Sequence, residues 1–268
     1  MNRMLIIGYG NMAGAMLAGW LNSGMEPARF AILNRSPKAA PDGVKVFADL
    51  AEAEADGGHD AVMLGFKPHQ LGELAPAFRT LVKGREVHSL LAGITLDQLQ
   101  AAFPDASTHL RVMPNLASRI NKSPIILAER GLAQREPISA LYDRLGSAVW
   151  LESEEHYDLA TALAGSGPGF VYRFIDALAT AATSLGLEAD EARTLALAMV
   201  DGAGSLAAGA EISPAELADR VASPGGMTRE GLNALDEENA LVELLTRTLK
   251  ATAEKGSELS ARAGGSFR

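Results

Sequence analysis

The sequence predicts an α/β protein in two parts, a doubly wound and mostly parallel sheet over residues 1–152 followed by an all-helical domain over 153–268. Three observations lead there. Met4-Leu5-Ile6-Ile7 is an apolar run suited to a parallel strand covered on both faces, and it passes through a glycine-rich turn into a helical pattern. Similar short runs, separated by helical or turn-rich stretches, recur as far as Leu151. Beyond Glu154 the strand signals vanish and Ala-rich helical periodicity takes over.

The first turn, Gly8-Tyr9-Gly10-Asn11-Met12-Ala13, fits a dinucleotide cradle of the Rossmann type. Gly8 takes the tight turn, Gly10 leaves room for a pyrophosphate, and Ala13 is small enough for close packing of helix on strand. The free N–H groups at the start of the helix, at Asn11 and Met12, then face the phosphates. By itself the pattern also suits a glycine turn opening an ordinary α/β domain.

The remaining elements follow in order. The first helix runs to about Asn22-Ser23-Gly24, and Arg29 to Leu33 is the second strand, ending at Asn34-Arg35-Ser36-Pro37. An NAD site places an acid here for the ribose 2′-hydroxyl, and none is present. Asn34, Arg35 and Ser36 instead suit a 2′-phosphate, and so NADP, although a polar turn with a solvated Arg has the same composition. Val44 to Phe47 is a third strand, 49–56 a solvated helix, and Asp60 to Phe66 a fourth strand stopping at Lys67-Pro68, on the edge where open α/β sheets bind ligands. Glu86 to Leu91 is the fifth strand, closed by Ala92-Gly93, with Thr95 capping a helix through Phe103. Thr108 to Met113 is the sixth and ends at Pro114-Asn115, and its His109 is read as structural. Pro124 to Ala128 and Ala148 to Leu151 flank a helix over 136–145 and complete eight strands.

Helices are expected over about 158–164, 169–185, 190–208, 214–221, 228–237 and 240–261. Gly202 and Gly204 weaken the third of these, which asks for tight packing against another helix or subunit. Two joints, Gly165-Ser166-Gly167-Pro168 and Ser223-Pro224-Gly225-Gly226-Met227-Thr228, each place open N–H groups and a hydroxyl at a helix start. Each is either an anion site or a capped turn between helices.

Composition narrows the function. There are no cysteines, so disulfides, thiol nucleophiles and cysteine zinc sites are excluded, and the five histidines lack ligand spacing, so no metal is expected. A formal charge of -9 argues against nucleic acid or an anionic membrane as partner. No apolar run reaches a membrane span and no signal-peptide pattern opens the chain, so a cytoplasmic location is expected.

Across nearly its whole length the sequence resembles the pyrroline-5-carboxylate reductase family. The resemblance rests on the first glycine turn, Lys67-Pro68, Leu91-Ala92-Gly93-Ile94-Thr95, Arg111-Val112-Met113-Pro114-Asn115, Ala162 to Pro168, Pro214-Ala215-Glu216-Leu217 and above all Ser223-Pro224-Gly225-Gly226-x-Thr228. It implies hydride transfer from NADPH, with NADH as the alternative, to the C=N bond of 1-pyrroline-5-carboxylate, giving L-proline. It also implies cofactor contacts at Gly8, Gly10, Asn11, Met12 and Ala13, at Asn34, Arg35 and Ser36 around the adenosine ribose, at Lys67 and Pro68, and at Ala92, Gly93 and Asn115 near the nicotinamide. The substrate carboxylate is expected on Gly226, Met227 and Thr228 beside Gly225, with the Thr228 hydroxyl near the ring nitrogen and Ser166-Gly167 also assigned to substrate. The family forms dimers through its helical domains, often assembled into larger rings.

This chain departs from the family pattern in three places. Leu116-Ala117 stand where Thr-Pro is usual, Gly169 where Ala is commoner, and Phe66 where a smaller aliphatic precedes Lys67. Reduction of another cyclic imine and non-catalytic NADP binding are the competing readings. A hydroxy-acid enzyme of this plan needs a lysine early in the helical domain, and none lies between Leu151 and Lys250.

Overall fold

The computed structural model describes residues 3–34, 40–131 and 134–264. Its elements in chain order are β1 (Met4–Ile7), α1 (Asn11–Asn22), β2 (Phe30–Leu33), β3 (Lys45–Phe47), α2 (Leu50–Asp56), β4 (Ala61–Leu64), α3 (Leu71–Val82), β5 (Glu86–Ser89), α4 (Leu96–Ala102), β6 (Thr108–Met113), β7 (Ser123–Gly131), α5 (Arg135–Tyr142), β8 (Gly146–Trp150) and α6 (Tyr157–Ala160). After a π-helical turn over Thr161–Gly165 come α7 (Gly167–Ser184), α8 (Ala189–Ala208), α9 (Pro214–Val221), α10 (Met227–Asp236) and α11 (Ala240–Gly264).

The eight strands form one sheet in the order β3-β2-β1-β4-β5-β6-β7-β8. All pairs are parallel except β6 with β7, so the first six strands end along one edge and the last two run the other way. The order reverses between β1 and β4, the switch point at which such sheets open a crevice for ligands. The doubly wound, mostly parallel sheet followed by helices is therefore the fold this sequence adopts.

Every residue of β1, β2 and β4 is buried, which explains why each reads as an unbroken apolar run. Alternate residues enter opposite faces: Leu5, Ile7, Val62 and Leu64 pack on one side, Met4, Ile6, Ile32 and Met63 on the other. On the second side Trp20 is fully buried, stacks on Phe30 at 5.0 Å and donates from Nε1 to the Leu141 carbonyl at 2.9 Å, joining α1 to α5. His109 lies in the core with Nε2 2.9 Å from the Phe103 carbonyl.

Several boundaries differ from the sequence expectation. Arg29 belongs to a 3-10 turn over Pro27–Arg29, and β2 begins at Phe30. Strand β7 extends to Gly131 because it pairs with the whole of β6. Helix α3, unassigned by sequence, forms despite Pro76 inside it. Five buried apolar side chains on one face (Leu71, Ala75, Phe78, Leu81, Val82) outweigh the penalty of about 3 kcal/mol for an interior proline.

The chain divides into two compact units. Residues up to Ser166 together with those from Ala251 form the sheet-bearing unit, and Gly167–Lys250 form the helical one. The first unit thus reaches beyond β8. Tyr157 of α6 is buried in the core beside the sheet, and Ser257 of α11 donates to Asp158 at 2.9 Å. Within the helical unit, α7 and α8 pack as a hairpin, a capping box of Ser213 and Glu216 opens α9, and an Arg229–Asp219 ion pair at 2.7 Å links α10 to α9.

Candidate active site

The carboxyl ends of β1, β2, β4, β5 and β6 bring together Gly8, Gly10, Asn34, Lys67, Pro68, Ala92, Gly93 and Asn115. Arg35 and Ser36 lie outside the described residues.

Gly8 has φ +90°, and a Cβ there would stand 2.8 Å from the Phe66 nitrogen and 2.9 Å from the Gly65 carbonyl carbon. Only glycine fits this crossing of the β1 and β4 ends, which is tied by Gly65 N–H to the Ile7 carbonyl (2.8 Å), while Gly8 N–H bonds the Leu33 carbonyl (2.9 Å) at the end of β2. Gly10 is different. Its backbone is ordinary (φ −84°), and the nearest atom to a Cβ would be 3.8 Å away, so its surroundings are open. Gly10 caps α1 with no side-chain bond and no acid follows in the first turn, leaving the N–H groups of Asn11, Met12 and Ala13 for a ligand. Ala13 is buried and can reach a ligand only through its backbone, while Met12 is half-buried with its side chain packed against the core. This cradle, open where a diphosphate would approach and closed where it would not, fits a dinucleotide.

Asn34 accepts the Tyr9 N–H on Oδ1 at 3.2 Å, so it braces the glycine turn from the end of β2. Lys67 is exposed, and its N–H donates to Gln70 Oε1 at 3.0 Å within a tight turn opened by Pro68. Beside these residues lies a cavity of about 440 Å³ bounded by Gly8, Leu33, Asn34, Phe66, Gln70 and Phe78. The Phe66 and Phe78 rings lie 6.2 Å apart and form an apolar wall. Gln70 and Phe78 belong to the stretch the sequence left unassigned, and so were missed as lining residues.

On the other half of the edge, Ala92 is exposed and Gly93 turns with φ +75° beside the Leu259–Ser260 backbone of α11. Asn115 is buried with its side chain committed: Oδ1 accepts from Ala117 N–H (2.9 Å) and Nδ2 donates to the Ala164 carbonyl (3.0 Å). Four residues earlier Arg111, given no site role by sequence, pairs with Glu154 at 2.8 Å and lies 3.6 Å from the centroid of the Tyr157 ring. Burial pushes the Tyr157 phenol above its ordinary value, with Arg111 opposing. A charge inside an otherwise buried strand was the signal that a partner had to exist.

Ser166 closes the π-helical turn through its N–H to the Thr161 carbonyl at 3.0 Å, and Gly167 begins α7. In the helical unit Ser223 to Gly226 form a tight turn, Gly226 N–H to Ser223 carbonyl at 2.9 Å, in which Gly225 takes φ +71°. Gly226 caps α10 without a side-chain bond, and the helix starts at Met227, earlier than the sequence suggested. A Cβ on Gly226 would meet Ser223 Oγ at 2.5 Å. Met227 and Thr228 are exposed in the first turn, their N–H groups without helical acceptors. Such a turn can hold a small carboxylate.

Known proteins resemble this chain in sequence and fold. Residues 154–259 match the family described as pyrroline-5-carboxylate reductase dimerisation, and residues 3–93 the one described as NADP oxidoreductase, coenzyme F420-dependent. Pyrroline-5-carboxylate reductase 2 of Bacillus subtilis is 34% identical over 265 residues, covering 95% of each chain. A pyrroline-5-carboxylate reductase structure from Coxiella burnetii superposes with a TM-score of 0.89 at 29% identity, over 97% of this chain and 98% of that one. The Plasmodium falciparum pyrroline carboxylate reductase, solved with NADP bound, has a TM-score of 0.79 over 96% and 98%, and at 22% identity speaks for the fold.

Proposed function

The chain belongs to the pyrroline-5-carboxylate reductase family, and from that premise we propose how its residues carry out the reduction of 1-pyrroline-5-carboxylate to L-proline. The full-length match carries the assignment of the reaction. NADPH supplies the hydride when bound. The backbone N–H groups at the start of α1 hold its diphosphate, and Asn34, Arg35 and Ser36 meet the adenosine ribose with its 2′-phosphate. Lys67, Pro68, Ala92, Gly93 and Asn115 follow the cofactor toward the nicotinamide.

The substrate is a protonated cyclic imine carrying a carboxylate. Gly225 and Gly226 shape a turn whose Met227 and Thr228 N–H groups bind that carboxylate, and Ser166 and Gly167 line the substrate as well. The Thr228 hydroxyl accepts a hydrogen bond from the ring N–H. Hydride adds to the ring carbon doubly bonded to nitrogen, the π electrons become the nitrogen lone pair, and a neutral amine results. An iminium is already a good acceptor, so positioning does the work a strong side-chain acid would do elsewhere.

The active species in this reading is a cytoplasmic homodimer formed through the helical unit, open to assembly into a ring. Among the described residues none of α7, α9 or α10 is buried, and in α8 only Ala192 and Ala196 are. Tyr172, Phe174, Leu195, Leu197, Met199 and Leu206 are exposed, and a Cβ on Gly202 or Gly204 would meet nothing within 4 Å. Apolar helices of this kind need a second copy to cover them. No helix among the described residues is long and apolar enough to cross a membrane.

The test is NADPH oxidation by the purified protein with and without 1-pyrroline-5-carboxylate, comparing wild type with Thr228→Ala. Loss of one hydrogen bond to a charged ring lowers kcat/KM by roughly 10- to 100-fold and leaves NADPH affinity unchanged. Turnover of a different cyclic imine in preference, or tight NADPH binding with no turnover at all, points instead to the competing readings.

A further inference from the structure

We propose that Arg111, paired with Glu154 against the Tyr157 ring, is a positioning residue for hydride transfer: it fixes the 154–166 segment, and with it Ser166, relative to the strand ends at Gly93 and Asn115. The proposal rests on the assignment of those strand ends to the nicotinamide half of the cofactor and of Ser166 to substrate.

The Arg111 side chain is 5% exposed, so its charge is affordable only with partners, and those partners show what it holds. Its Nη1 donates to Glu154 Oε1 at 2.8 Å. The same carboxylate oxygen accepts the Leu96 N–H at 2.8 Å, in the first turn of α4, shortly after the Ala92-Gly93 turn. One oxygen thus joins β6, the start of α4 and the start of the segment leading to Ser166. Tyr157, three residues after Glu154, presents its ring to the guanidinium carbon at 3.6 Å.

The other end of that segment returns to the same strand. Its π-helical turn lets Ser166 N–H bond back to the Thr161 carbonyl, while the Ala164 carbonyl accepts from Asn115 Nδ2 at 3.0 Å. A Cβ on Gly165 would sit 3.5 Å from Met113 Cγ, so this end lies against β6 too. Arg111 in β6 and Asn115 just past its end are therefore two anchors four residues apart, about 13 Å at the rise of an extended chain. A buried ion pair is a poor source of stability compared with apolar side chains of the same volume. What a planar guanidinium between a carboxylate and a ring supplies is a single geometry. Hydride transfer depends on donor and acceptor carbons meeting within a few tenths of an ångström, which is where such a geometry has an effect.

The test compares wild type with Arg111→Met, which keeps length and apolar bulk, and with Glu154→Asp, which keeps the charge but shortens the arm. Steady-state kinetics with 1-pyrroline-5-carboxylate are run with NADPH and with NADPH deuterated at the transferred position, beside direct NADPH titrations. Each variant should lower kcat about 10- to 100-fold, raise the deuterium isotope effect on kcat and leave the NADPH Kd within about threefold. A structural role alone reduces the amount of active protein, which scales kcat and leaves the isotope effect where it was. If Arg111→Met does not fold, Glu154→Asp decides on the same readouts. Wild-type turnover with kcat retained in the variants, or lost at an unchanged isotope effect, overturns the positioning role and leaves the reaction standing. A wild type that binds NADPH but does not reduce the substrate overturns the reaction itself, and this role with it.

Discussion

Alanine at Gly8 and alanine at Gly10 should do opposite things, although both glycines belong to the same turn. At Gly8 a side chain enters a backbone with φ +90°, at roughly 1–2 kcal/mol for an L residue. Its Cβ would also stand 2.8 Å and 2.9 Å from backbone atoms of Phe66 and Gly65, which have no flexible end to swing aside. The β1 and β4 ends must then separate by about half an ångström, weakening the Gly65 N–H bond to the Ile7 carbonyl, worth about 1 kcal/mol. Together the expected loss is about 2–3 kcal/mol. Gly10→Ala meets nothing closer than 3.8 Å at an ordinary φ, so its stability should fall by no more than about 1 kcal/mol, the usual cost of alanine at a helix N-cap. Its methyl group instead occupies the approach to the helix N–H groups, and NADPH affinity should fall at least roughly tenfold. Guanidinium unfolding followed by tryptophan fluorescence, Trp20 being fully buried, reads the first effect, and an NADPH titration reads the second. A Gly10→Ala protein that binds NADPH as well as wild type would refute the assignment of this turn to the diphosphate. A Gly8→Ala protein of unchanged stability would refute the account of the crossing.

Three further outcomes are expected. Thr95→Ala removes the side chain that accepts the Gln98 N–H and should cost about 1 kcal/mol in unfolding experiments, with Thr95→Ser restoring most of it. Burial holds the imidazoles of His59 and His109 below their ordinary value of 6.5, with Arg3 adding to the effect at His59 and a bond to the Phe103 carbonyl opposing it at His109. Below pH 6.5 the unfolded chain then binds protons that the folded one does not, so the Tm should fall from pH 7.5 to pH 5.5, and less so in His59→Leu; a flat profile contradicts this. Leu206→Glu, at an exposed position on α8, should lower the mass seen by light scattering from a dimer or larger assembly toward the monomer, and an unchanged mass would argue against that face as the interface.

The sheet was legible in the sequence because parallel strands buried on both faces read as continuous apolar runs, and because the ligand edge is made of the glycines, prolines and asparagines that stop them. Helix α3 was not, since Pro68, Pro76 and Gly84 break its pattern and only the tertiary burial of Phe78 and its neighbours makes it a helix. The cavity beside Phe66 escaped with it. The two joints were visible as glycine turns, but periodicity alone left anion site and capped turn equal. What the structure adds is that the N-cap falls on Gly226, which has no side chain to bond the helix N–H groups, and that Gly225 turns with φ +71°. Asn115 was picked out by its place at a strand end, yet its bonds to Ala117 and Ala164 span one local and one distant segment that no spacing rule connects. The Arg111–Glu154 pair joins residues 43 apart in the chain and was hidden for the same reason.

The most direct measurement is the destination of the hydride. The protein is incubated with 1-pyrroline-5-carboxylate and NADPH carrying deuterium at nicotinamide C4, and the product is examined by mass spectrometry and proton NMR. The account predicts L-proline with one deuterium, on the ring methylene carbon bonded to nitrogen. Proline without label, or no proline from a protein that binds NADPH, would contradict it.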